Sequence, residues 1–86
     1  MGLIDDLAEN LAHDVIEAQR ELGEDRFYID IGDHIGTSSP SLQEAFMTAC
    51  RLRLAELRGR AYFEKRLGER RKAKAKAATP SDETST

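Results

Sequence analysis

At 86 residues with one cysteine, the chain has room for one small domain and no intramolecular disulfide. A core of that size supplies only about 3–5 kcal/mol, so very regular helix packing or oligomerisation must supply the rest. The net charge of −3 hides a division: residues 1–50 hold eleven acids against Arg20 and Arg26, while residues 51–76 hold eleven bases against three acids.

Opposed blocks of this kind are suited to attract each other, within one chain or across a dimer. No apolar run approaches the roughly 18 residues of a membrane span. Asp5 and Asp6 stand where a secretion signal carries bases. With a single unpaired thiol, the expected compartment is the reducing cytoplasm, with no membrane attachment.

The first element is a helix over residues 3–22. Leu3, Leu7, Leu11, Val15, Ala18 and Leu22 recur every three or four positions, the signature of one apolar stripe. Ile4, Ala8, Ala12 and Ile16 widen it. Asp5, Asp6 and Glu9 occupy the early turns and Arg20 the late ones, as the helix dipole favours. Gly23 is suited to end the helix with a positive φ.

Residues 26–35 carry two patterns. Phe27, Ile29 and Ile31 alternate like a strand, whereas Phe27, Ile31 and Ile35 share one helix face, with Asp25 as N-cap and Gly36 as stop. A lone strand would leave its backbone unpaired. A short helix is therefore expected, although Gly32 costs it about 1 kcal/mol.

The third helix starts either at Ser39-Pro40, as N-cap and N1, or two residues later at a Ser41–Glu44 capping box. Leu42, Phe46, Ala49, Cys50, Leu57 and Ala61 form its stripe. Because no proline intervenes before Pro80, the helix is expected from about residue 40 to residue 67 or beyond. Residues 71–86 read as a flexible basic and polar tail, with Thr79–Thr86 disordered.

The expected fold is all-α: a small three-helix protein with a long first, a short second and a long third helix, in a single helical domain over residues 1–70. The first and third helices are expected to pack antiparallel through Leu7, Leu11, Val15 and Leu22 against Leu42, Phe46, Ala49 and Leu57. Phe27, Ile31 and Ile35 would close one end. Apolar surplus on the third helix implies a homodimeric helical bundle.

Residues 31–46, IGDHIGTSSPSLQEAF, place Ile31, Ile35, Gly36, Ser38 or Ser39, Leu42 and Phe46 around a short turn. This stretch resembles the helix-turn-helix unit of AraC-type regulators, with Gly32 standing for that family's small alanine. The resemblance implies a base-reading helix exposing Ser41, Gln43 and Glu44, followed by Met47 and Thr48. Reading helices usually offer Arg, Lys, Asn or Gln there. Here the first base after Arg26 is Arg51, so DNA is a disfavoured partner for this turn.

Arg51, Arg58, Lys65, Arg66, Arg70, Arg71 and Lys72 are the other candidate contacts, with Tyr62 and Phe63 among them. Such a segment can grip phosphates and stack on bases, or meet an acidic protein surface. Asp5, Glu9 and His13 share a helix face, and Asp30 and His34 form a similar pair. A metal site needs further ligands, and the chain has only two histidines and no Glu-x-x-His motif, so no metal is expected.

No Gly-x-Ser-x-Gly elbow, Ser-x-x-Lys pair or phosphate-cradling glycine motif occurs. Cys50 lies on the apolar side of its helix, where a thiol is inert. The expectation is a cytoplasmic interaction or adaptor protein without catalysis or cofactor. The alternative is a DNA-associated regulator using residues 31–48 and the basic C-terminal segment.

Overall fold

A computed structural model describes residues 2–85, with side chains for residues 2–78. The order is α1 (Leu3–Leu22), α2 (Phe27–Gly36) and α3 (Pro40–Ser85), with no strand among the described residues. The expected disorder of Thr79–Thr86 lies outside the fully described residues. The chain divides into two units, Met1–Glu56 and Leu57–Thr86.

Helix α1 ends as its glycine predicts. Gly23 takes φ 71°. Its N–H donates to the Arg20 carbonyl at 3.2 Å, and the Glu24 N–H donates to the Gln19 carbonyl at 3.0 Å. These are the paired bonds of a Schellman motif, which needs a residue free of the Cβ penalty at that position.

The start of α2 corrects the expectation. Asp25 is not its cap: Arg26 takes the N-cap position and makes no side-chain cap bond. The side chain of Gln19, buried in α1, reaches across instead, and its Oε1 accepts from the Tyr28 N–H at 3.0 Å. A helix N-terminus leaves its first N–H groups without intrahelical partners, so a borrowed acceptor does what a local cap would do.

Gly36 ends α2 as expected: it is the last residue of that helix, without the positive φ that Gly23 takes. Beyond it the Thr37 N–H donates to the His34 carbonyl and the Ser39 N–H to the Ile35 carbonyl, and Pro40 opens α3. Ser39 then serves as N-cap, its Oγ accepting from the Leu42 N–H at 3.1 Å. The Ser39-Pro40 start is therefore the one used, and exposed Ser41 is the second residue of α3.

The interior of the first unit is built on small residues. Along α1 the buried positions are Ala8, Ala12, Val15, Ile16 and Gln19; on α3 they are Phe46, Ala49 and Cys50. Burying Phe46 alone is worth about 1.5–3 kcal/mol. On α2, a Cβ at Gly32 would stand 2.5 Å from Met47 Sδ, and one at Gly36 would stand 2.6 Å from the Gln43 amide. These glycines, four apart, make a bare face on which α3 lays two long side chains. The helical cost of Gly32 is offset by that approach.

The expected core face of α1 is thus rotated. Val15 is buried as predicted and Leu11 half-buried, but Leu3, Leu7 and Leu22 are 72%, 48% and 58% exposed. Small side chains at Ala8 and Ala12 permit closer helix packing than leucines would, so they hold the inner line. Phe27, Ile31, Ile35 and Leu42 are half-buried.

Candidate interaction surface

With Ala8, Ala12, Ile16 and Gln19 turned inward, the outer side of α1 carries Leu3, Leu7, Leu11, Asp14, Ala18 and Leu22 at steps of three or four residues. Glu17 and Glu21 flank this line, both exposed. Asp14, Glu17, Ala18, Arg20 and Glu21 border a shallow depression of about 570 Å³ on the same helix. The line therefore carries leucines toward both ends, with Asp14, Glu17 and Glu21 in its C-terminal half. Sequence periodicity pointed to these leucines but assigned them to the core. The signal that separates the faces is the second stripe, Ala8-Ala12-Ile16-Gln19, which runs beside the first.

The ion pairs on this surface are weak. His13 Nδ1 lies 3.3 Å from Asp14 Oδ1, and Arg20 Nη1 lies 3.2 Å from Glu17 Oε2, with every partner more than half exposed. Exposed pairs of this type contribute about 0–1 kcal/mol and exchange partners readily.

At the start of α3, Ser41, Glu44 and Thr48 are exposed while Gln43 and Met47 are half-buried over the α2 glycines. The residues that a base-reading helix would present are therefore divided, and the outward set contains a carboxylate and no base before Arg51. Arg51 is exposed. Between α1 and α3, a cavity of about 270 Å³ is lined by Asp5, Ala8, Glu9, Ala45, Thr48, Ala49 and Leu52.

Cys50 is fully buried, and burial pushes its thiol up to about 11, against a smaller opposing pull from Arg53 and Arg51. A thiol so shifted stays protonated near neutrality and is a poor nucleophile.

In the unit Leu57–Thr86, Arg58, Lys65, Arg66, Arg70, Arg71 and Lys72 are all exposed on α3. Tyr62 and Phe63 are 60% and 54% exposed among them. The Arg66 guanidinium lies 6.0 Å from the Tyr62 ring centre, and its Nε is 3.5 Å from Glu69 Oε1. Leu67, Arg70, Arg71 and Lys74 lie along one apolar strip with basic edges. Of the charged candidates read from the sequence, Arg66 is the one tied to an aromatic neighbour.

Among the described residues no group of three or more acids, histidines or cysteines is placed to hold a metal, and no helix is long and apolar enough to cross a membrane. No protein-family model matches this chain, and no curated protein or solved structure matches it either.

Proposed function

We propose that this chain is a protein-interaction or adaptor module acting without catalysis, and that its principal contact surface is the outer face of α1. The observation that carries this reading is the exposure of Leu3, Leu7 and Leu22 on a helix whose other side already supplies the core. Leucines repeated at helical spacing on a wet face, with a carboxylate rim, suit an amphipathic basic helix better than they suit water. The protonated, buried thiol of Cys50 fits a structural role.

A photo-crosslinking amino acid at position 7, in cells, tests this. It is expected to give a protein adduct that Leu3→Glu abolishes. Absence of any protein adduct, with the variant folded, contradicts the reading.

A second reading is favoured by the half-exposed Tyr62 and Phe63 among bases: sequence-independent nucleic-acid binding through phosphates and stacking. It predicts a salt-sensitive gel shift that truncation after Leu67 weakens and Gln43→Ala does not. Unchanged mobility at low salt would dismiss it. The turn at residues 37–39 is the weaker route to DNA, because Gln43 and Met47 lie over α2.

A further inference from the structure

We infer that the basic helical segment of one copy docks along the outer face of α1 in a second copy. This rests on the reading of α1 as a contact face and names its occupant. The outer line of α1 is Leu7, Leu11, Asp14, Ala18 and Leu22. In the second unit, Phe63, Leu67, Arg70, Lys74 and Ala78 repeat the same steps of four, three, four and four residues. Laid parallel, the two lines set Phe63 against Leu7, Leu67 against Leu11, and Arg70 against Asp14, with Lys74 between Glu17 and Glu21.

Charge selects this pairing over its rivals. Helix α1 carries six acids against one arginine, and residues 57–78 carry nine bases against two acids. Two α1 faces repel each other, and so do two basic segments. Pairing of basic segments as a coiled coil also fails on pattern. Its seam would pass through Leu57, Ala61, Glu64, Gly68 and Arg71, where a zipper needs continuous apolar residues. Unlike faces attract and bring their apolar ends together at once. The local pairs His13–Asp14 and Glu17–Arg20 are exposed and cost little to exchange. Reciprocal docking closes a dimer, whereas one-way docking builds a chain; each raises the mass above that of one molecule.

Sedimentation equilibrium of the full chain at low salt is expected to give at least twice the 9.6 kDa chain mass. That mass should fall toward 9.6 kDa in 1 M salt, where the Debye length is only about 3 Å. Reversing the face (Asp14→Arg with Glu17→Arg) or the segment (Arg70→Glu with Lys74→Glu) should each give monomers. An equimolar mixture of the two variants should associate again. All four positions are exposed, so circular dichroism should report unchanged helix content.

A 9.6 kDa mass at low salt, an oligomer indifferent to either reversal, or a mixture that stays monomeric would overturn the proposal. A position-7 adduct with a different protein, from a chain that sediments as a monomer, would overturn the self-association and leave α1 as a contact face. A nucleic-acid complex formed by a monomer whose position 7 gives no adduct would end both.

Discussion

The buried side chain of Gln19 in α1 accepts a hydrogen bond from the backbone N–H of Tyr28 in α2 at 3.0 Å. One polar group in the core thereby joins two helices across the Gly23 turn. It also satisfies a donor that α2 cannot satisfy itself, because Arg26 caps nothing with its side chain.

Gln19→Met keeps the length of the side chain and removes the acceptor. Leaving the Tyr28 N–H without a partner should lower the unfolding free energy by about 1–3 kcal/mol. Urea denaturation read by circular dichroism measures it. A change below a few tenths would mean that water replaces the amide at no cost.

The glycine face of α2 makes a graded prediction. Gly32→Ala should be neutral to within about 1 kcal/mol, since the gain in helix propensity offsets the displacement of flexible Met47. Gly32→Val should destabilise by about 1–3 kcal/mol, because a branched side chain must displace Phe46 as well. Equal stability of the two variants would show that α3 does not press on Gly32.

Cys50 predicts an alkaline effect. Its folded pKa, near 11, lies above the ordinary value of 9.0, so the native state holds the thiol proton more tightly than the unfolded chain does. The associated stability is fully present below pH 9 and is lost as pH rises to about 11. The difference between wild type and Cys50→Ala in unfolding free energy should therefore shrink across that interval. A constant difference from neutrality upward would contradict the assignment. At neutral pH, iodoacetamide should modify Cys50 only as fast as the protein opens.

Much of this fold was legible because its punctuation is local. Gly23 tolerates the positive φ that ends α1, the Ser39 hydroxyl caps α3 and the Pro40 ring restricts its own φ, so the end of α1 and the start of α3 can be read from them. The helical reading of α2 held because Phe27, Ile31 and Ile35 share a face. Which side of α1 faces inward was not legible. Leucines outscore alanines in any hydrophobic count, while the worth of Ala8 and Ala12 depends on how closely another helix approaches. Gln19 was invisible for a similar reason: its value lies in the Tyr28 N–H, nine residues away and on a different helix. Of the candidate contacts, Gln43 is half-buried over Gly36, a placement that nothing in the sequence announces. The leucines of the candidate surface were seen as a stripe, yet their exposure depends on the rival alanine line winning the interior.

Helix α1 therefore has two apolar faces, the inner one holding the fold and the outer one the proposed contact surface. The most direct measurement is urea unfolding of dilute Leu7→Ala beside Ile16→Ala, each against wild type. Buried Ile16 should lose about 2–5 kcal/mol and Leu7 under about 1 kcal/mol. Equal losses, or a larger loss at Leu7, would place the leucine stripe in the core.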